Sequence, residues 1–537
     1  MTYPIQARPR RSWRLVGLII ALVVALPLCA VGGIGVMAYR AYQMSMTDTV
    51  GEIDFTNRLA VPPLAPSRVD DQGRRVFDLR AKQGSSTILP GPATRTWGVN
   101  GAQLGPTLRA KRGEKVLVNV TNGLNEATTL HWHGMHLPAA MDGGPHQMVQ
   151  PGETWSPTWK VDQPATSLWY HPHLHGRTAA HVYRGLAGMF LLDDKNSKQL
   201  ELPSRYGVDD IPMIVQDRRM TEGNQFDESP GDWQNTSTGL LGDTILVNGT
   251  YAPYQKVTTE RVRLRLLNGS NGRVYHFGLA GNEPFALIGT DGGLLPAPHQ
   301  STRIQLSPGE RAEIVVEMRP GERTELRSYP PDLGVDFFTR RFDGGDDSFD
   351  VVQLRAADKL KLSPELPTRL APAPALDPSE VVKTRDFRLS GHSINGKQME
   401  MDRVDEVVGV DTTEIWRVHN NGGQPHSFHV HDVQFQILDI DGSPPPADLR
   451  GWKDTIYAYP DRTFRLIMRF SDYRDPTRPY MYHCHVLMHE DRGMMGQFVV
   501  VGPGERPRLT GGHGAGDHGD SPTSHGRGHS SHGGGPG

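Results

Sequence analysis

Between Lys115 and Asn122 apolar and polar residues alternate (KVLVNVTN), the period of two that sends successive side chains to opposite faces of a half-buried β-strand. The pattern returns at Arg261–Asn268 (RVRLRLLN) and at residues 414–420 (EIWRVHN), each copy ending in asparagine. A short aromatic and histidine segment follows each: His131-Trp132-His133-Gly134, Tyr275-His276-Phe277-Gly278 and Phe428-His429-Val430-His431. A proline turn and a second strand come next in all three. The turns are Pro151-Gly152-Glu153, Pro308-Gly309-Glu310 and Pro460-Asp461-Arg462, leading into WSPTWKV, RAEIVVEM and TFRLIMRF. Repeats roughly 150 residues apart, about one domain each, predict three copies of one β-rich domain in a chain of 537 residues. With 60 Gly, 42 Pro and few stretches of helical period, the fold class read from the chain is all-β.

Composition shifts place linkers at residues 193–203 and in the Pro-rich residues 363–378, giving domains over 52–200, 204–362 and 379–505. Residues 61–66 join the first domain to what precedes it. Residues 1–45 carry Arg8, Arg10, Arg11 and Arg14 and then run uncharged from 15 through 39, long enough to cross a bilayer core of about 30 Å. This predicts a signal or, preferably, a retained membrane anchor, with the body of the protein outside the cytoplasmic membrane. Residues 10–15 (RRSWRL) resemble a twin-arginine export signal, and the same arginines satisfy the positive-inside rule for an anchor. After residue 507 the chain becomes Gly, His and Ser, so 507–537 is expected to be a disordered His-rich tail.

The charge balance, 57 Lys plus Arg against 60 Asp plus Glu, gives no electrostatic case for nucleic acid or an anionic membrane surface as the main partner. Two cysteines in unlike settings, Cys29 in the apolar run and Cys484, exclude a disulfide framework. The informative excess is histidine.

Four His-x-His pairs stand at the ends of strand-like segments in the first and third blocks: His131/His133, His171/His173, His429/His431 and His483/His485. Positions i and i+2 of a strand share a face, so each pair offers two imidazoles to one site. Neutral imidazole suits copper, zinc, iron and nickel. This histidine content should give about one such spacing by chance, not four at matching places in two repeats. The middle block has no counterpart of SLWYHPHLHG and YMYHCHVLMH, so it is expected to be a spacer without metal.

Cys484 lies between His483 and His485, so its side chain points to the other side of the strand and serves a different site. His426, His489 and Met494 complete that site as two histidines, a cysteine and a weak axial methionine, the blue-copper electron-transfer set. Met495 competes with Met494 for the axial place. Zinc fits poorly, because structural zinc sites are richer in cysteine.

The combination HWHG, WYHPHLHG, HSFHVH and HCHVLMHEDRGMM resembles that of multicopper oxidases of the three-domain laccase type, over about residues 95–503. GLAGMFLL, GTDGGLLPAP and GWKDTI are similar to wording in bacterial copper-efflux oxidases and bilirubin-oxidase-like laccases. The resemblance implies three consecutive cupredoxin-like Greek-key β-sandwich domains holding four copper ions. His426, Cys484, His489 and Met494 would bind an exposed type 1 copper, and His131 and His429 the type 2 copper. His133, His171, His173, His431, His483 and His485 would bind the type 3 pair. Asp142 and Glu490 match acidic positions that the family uses near the cluster to relay protons to dioxygen. The reaction implied is one-electron oxidation of phenols, aromatic amines or low-valent metal ions, coupled to reduction of dioxygen to water.

Three further readings shape the expectation. His175 extends His171/His173 as a third same-face imidazole with no vacancy to fill and reads as structural, while His136, His146 and His181 lack ligand spacing and read as surface or hydrogen-bonding histidines. His513, His518, His525, His529 and His532 in the tail either collect copper or are dispensable. The 18 methionines form no Met-rich segment, which weighs against cuprous ion as the dedicated substrate. A dedicated cuprous or ferrous oxidase, a copper nitrite reductase and a copper-sequestering cell-envelope scaffold are the rivals. Eight cluster histidines exceed what a nitrite reductase needs, and a scaffold reading predicts degenerate motifs.

Overall fold

The repeated alternating segments become the central strands of three β-sandwiches. In the computed structural model, which describes residues 37–509 except residues 38, 230–236 and 373–374, each runs parallel to an upstream strand and antiparallel to the strand after its proline turn. Lys115–Asn122 thus lies between Arg75–Ser86 and the pair Thr154–Trp155 and Thr158–Lys160. Arg261–Asn268 lies between Asp210–Arg218 and Arg311–Glu317, and Thr412–Asn420 between Val381–Ser390 and Thr463–Phe470.

The terminal asparagine explains why the three copies look alike. Asn122 donates to the carbonyls of Glu126 and Val149 and accepts from the amide of Leu124. Asn268 does the same with Arg273, Leu306 and Ser270, and Asn420 with Gln424, Ala458 and Gly422. One buried amide satisfies three backbone groups and fixes the loop that leads to each histidine segment.

A second sheet closes each sandwich. In the first block its strand order is Leu108–Lys111, Gly188–Asp193, Thr166–His171, His131–His133. In the third it is Glu406–Gly409, Met495–Val501, Asp475–Cys484, His426–Val430, Thr455–Ala458. Leu108, Trp132, Leu168 and Phe190 meet Phe77, Val116 and Val118 in one core, and Phe428, Tyr482 and Phe498 meet Trp416, Leu466 and Phe470 in another. The histidine strands therefore belong to these second sheets, with apolar side chains facing the core and the imidazoles of the His-x-His pairs facing out of it.

The start of the first domain differs from the expected residue 52. Strand Asn57–Arg58 pairs in parallel with Pro253–Thr259, and Leu59 is buried in the second sandwich's core. The chain crosses to the first sandwich only afterwards. The apolar N-terminal run up to residue 36, Cys29 and the His-rich tail lie outside the described residues. Among the described residues no helix is long and apolar enough to cross a membrane.

Candidate metal centre

The eight histidines of the four pairs come from two sandwiches and meet at their boundary. The strand His131–His133 pairs with Thr166–His171, so His131 stands opposite His171; His426–Val430 pairs with Asp475–Cys484, so His429 stands opposite His483. Across the boundary the rings of His131 and His431 stack at 3.9 Å, and those of His133 and His429 at 3.7 Å. All eight are at most 1% exposed. Their donor atoms fall into three groups, each with its atoms within 4.8 Å of one another: His131, His133 and His429; His133, His171 and His485; and His173, His431 and His483.

Hydrogen bonds at the far nitrogens set which lone pair faces the centre. A carbonyl oxygen can only accept, so His131 Nδ1 donates to Asp142 O at 2.8 Å, His171 Nδ1 to Pro172 O at 2.8 Å and His429 Nδ1 to Asp454 O at 2.8 Å. Each leaves Nε2 bare, and these three Nε2 atoms are buried without a partner. His133 is inverted: its Nε2 lies 3.2 Å from Asp454 Oδ1 and 3.2 Å from Thr455 Oγ1, and its Nδ1 is the partnerless atom. Both nitrogens of His485 are partnerless. A buried, unsatisfied polar atom costs about 1–3 kcal/mol. Several converging on one volume are the signature of a site built for cations. Burial and the neighbouring rings hold His133, His171, His173, His429, His431 and His485 well below the ordinary imidazole range, so they stay neutral and able to ligate.

Cys484 faces away from this cluster, as strand alternation requires. Its Sγ lies 3.5 Å from His426 Nδ1 and 3.5 Å from His489 Nδ1, and those two nitrogens are 3.2 Å apart. Burial pushes the thiol up to about 12, so it would give up its proton only to a cation. Met494 is fully buried in the same apolar core, and its amide donates to His489 O at 2.9 Å. The expectation of an exposed site fails on one count. Cys484, His426 and His489 are each 0% exposed, and His489 Nε2 donates to Ser237 O at 2.6 Å, so the second sandwich covers the ring edge.

Both expected carboxylates are at the cluster. Asp142 Oδ2 accepts from His431 Nδ1 at 2.7 Å and ties the third sandwich to the first. The Glu490 carboxylate is 0% exposed, 3.1 Å from His173 Nδ1 and 3.3 Å from His483 Nδ1. Burial and nearby Asp491 hold its pKa well above the usual range. Asp491 accepts the amides of Thr178 and Ala179 at 2.8 and 2.9 Å, which locks the helix Leu487–Asp491 to the helix Thr178–Arg184.

The middle block is more than a spacer, although among the described residues it contributes no member to these donor groups. Arg311 donates to Asp454 through both Nη atoms at 2.7 and 2.6 Å, and to the carbonyls of Ser167, Gly309 and Asp291. One guanidinium thus holds all three sandwiches around His133. Gly309, at φ +88°, brings bare backbone against the rings: a Cβ there would meet His485 Cδ2 at 3.0 Å and His133 Cε1 at 3.2 Å. Sequence reasoning missed Asp454, Thr455, Arg311, Gly309 and Ser237. Their only signals were the segment GWKDTI, which ends one residue past Thr455, and the middle proline turn.

The demoted histidines take structural places. His136 bridges Asp432 at 2.8 Å and Asp472 at 2.6 Å, and His181 lies 3.1 Å from Glu126 Oε1. His146 lies 2.5 Å from Gln497 Oε1.

Comparison with known proteins agrees with this geometry. Two family models, each described as Multicopper oxidase, match residues 80–197 and 368–503. The multicopper oxidase mco of Staphylococcus haemolyticus is 36% identical over 449 residues, covering 83% of this chain and 93% of that one. The cell division protein FtsP of Escherichia coli is also 36% identical, over 447 residues, 82% of this chain and 92% of that one. Among solved structures, a laccase from Pediococcus acidilactici is 36% identical with a TM-score of 0.74, covering 83% of this chain and 93% of that one. The laccase-like multi-copper oxidase CueO of Ochrobactrum sp., described as active towards lignin model compounds and lignosulfonate, is 38% identical with a TM-score of 0.75, covering 82% of this chain and all of that one. These structures carry the cupredoxin-like multi-domain fold, and the three sandwiches match it.

Proposed function

This chain belongs to the multicopper oxidase family, and from that premise we propose that it is an active oxidase with four copper ions rather than a metal-free member. The carrying observation is the set of buried imidazole nitrogens that face one another without hydrogen-bond partners, beside a separate Cys484 site. By the resemblance to the family's motifs, His426, Cys484, His489 and Met494 would hold type 1 copper and His131 and His429 type 2 copper. His133, His171 and His485 would hold one type 3 ion and His173, His431 and His483 the other. Copper held in these places would supply one-electron exchange at Cys484 and reduction of dioxygen at the histidine cluster.

The chain's own residues do the rest. Cys484 is covalently continuous with His483 and His485, so the backbone joins the two donor sets by the shortest path a chain allows. Glu490, beside His173 and His483, is the group that holds a proton at the cluster, and Asp142, which accepts from His431, is the second carboxylate in the relay. Four donors each give one electron, and one dioxygen with four protons becomes two waters. The donors that fit are phenols, aromatic amines or low-valent metal ions; a dedicated cuprous or ferrous oxidase is the variant reading. We further place the body of the protein outside the cytoplasmic membrane, held by a retained N-terminal anchor.

FtsP, a cell division protein, is as similar to this chain as the oxidase mco is, so identity by itself does not choose between an oxidase and another role. The complete donor set favours the enzyme. The test is the visible spectrum of copper-loaded protein beside Cys484→Ser, with oxygen consumption on organic donors with and without added copper. An intense blue thiolate band that Cys484→Ser abolishes, together with oxygen uptake, is expected. Colourless protein that consumes no oxygen would sink the proposal.

A further inference from the structure

The helix Phe337–Phe342 of the second sandwich is amphipathic in the wrong sense for a soluble surface. Phe337, Phe338 and Phe342 are 62%, 66% and 50% exposed, while the charged Arg341 between them is buried. Large aromatic groups in water and an arginine inside are unfavourable together unless something apolar covers the outer face.

The neighbouring chain says what that is. Tyr42 stacks on Phe337 at 5.4 Å, and Arg341 lies over the Tyr42 ring at 4.6 Å while its Nε donates to Tyr42 O at 2.8 Å. Thr47 N donates to Asp347 Oδ1 at 2.8 Å and Ser348 N to Thr47 O at 2.9 Å, so the segment is tied down on both sides of the patch. Only Arg40 and Ala41 separate Tyr42 from the end of the uncharged run of residues 15–39. Three residues span at most about 10 Å. If that run crosses a bilayer, the phenylalanine patch lies at the headgroup level, where aromatic side chains are favoured.

We propose that the exposed face of Phe337–Phe342, with Tyr42 stacked on it, is a membrane-contact surface that seats the second sandwich on the lipid from which the anchor emerges. This rests on the retained anchor proposed above. Asp343, which caps the same helix, accepts from Ser237 Oγ, and Ser237 O accepts from the type 1 candidate His489. Ser237 thus links the helix that carries the patch to the covered edge of the type 1 candidate site.

The experiment uses the full chain carrying Cys29→Ser and Phe338→Cys, reconstituted into phosphatidylcholine/phosphatidylglycerol vesicles with an environment-sensitive fluorophore on residue 338. The same label at Val69, 65% exposed on the first sandwich, is the reference. Residue 338 is on the surface, so the label leaves the fold intact. Quenching by acyl-chain spin-labelled lipids, several-fold stronger at 338 than at 69, with a blue-shifted emission, is expected. Quenching of both labels alike by aqueous iodide overturns the proposal. So does a label at 338 shielded from both quenchers, which would mean that protein, from this chain or a second copy, covers the patch. Chain that fails to float with the vesicles overturns the anchor itself, a separate result from a floating chain with a wet residue 338.

Discussion

Removing the charge of Asp454 isolates what Arg311 does for the whole molecule. The closest approach of the pair is 2.6 Å, with both side chains 0% exposed, and at an effective dielectric of 20 the attraction is about 6 kcal/mol. Much of that is offset by desolvation, but taking away Asp454 leaves the buried Arg311 only its longer 3.7 Å pairing with Asp291. Asp454→Asn should therefore destabilise by about 3–5 kcal/mol. Arg311→Met should cost at least as much, because the carbonyls of Ser167, Gly309 and Asp291 also lose their donor. The double variant removes both members of this pair together, so its cost should fall short of the sum of the singles by about 2–3 kcal/mol. The assay is urea unfolding of copper-free protein followed by tryptophan fluorescence, since bound metal would add its own stabilisation. Additivity within about 0.5 kcal/mol would refute the claim that this pair is the tie between the sandwiches.

Three more outcomes follow from the same geometry. His136, flanked by Asp432 and Asp472, is pushed up to about 10, above its ordinary 6.5; its stabilisation is complete below pH 6.5, fades as pH rises and is gone above about 10. Urea midpoints at pH 6 and pH 10 should therefore converge in His136→Gln, and a His136→Gln protein with the unchanged pH slope would contradict this. Gly309→Ala puts a Cβ about 3 Å from two cluster rings at a positive φ, costing about 1–3 kcal/mol; metal analysis of the purified variant should show copper lost from the cluster while the blue band of the Cys484 site remains. Glu490→Gln keeps the shape but cannot carry a proton, so oxygen consumption should fall by about 10²-fold or more with the blue band intact, and a variant with full turnover would remove Glu490 from proton delivery.

The candidate ligands were legible because a strand's period of two is a local rule. His483 and His485 had to share a face, and Cys484 had to take the other. The same rule made the three sandwiches visible as repeated alternating strands, each ending in an asparagine whose amide pins the next loop. The boundary near residue 52 was illegible for the opposite reason: Asn57–Arg58 is too short to carry a pattern, and its sheet is chosen by a partner near residue 253.

The sequence by itself therefore determined the fold class, the number of sandwiches and which side chains leave each strand together. Tertiary structure alone decided which imidazoles meet across the boundary and that His133 offers Nδ1 where His131, His171 and His429 offer Nε2. It also decided that Arg311, Gly309 and Ser237 of the second sandwich complete the surroundings of both sites. Alternation along a strand fixes the side a residue faces. It carries no information about the surface that docks there, and the hydrogen bonds that orient an imidazole come from that surface.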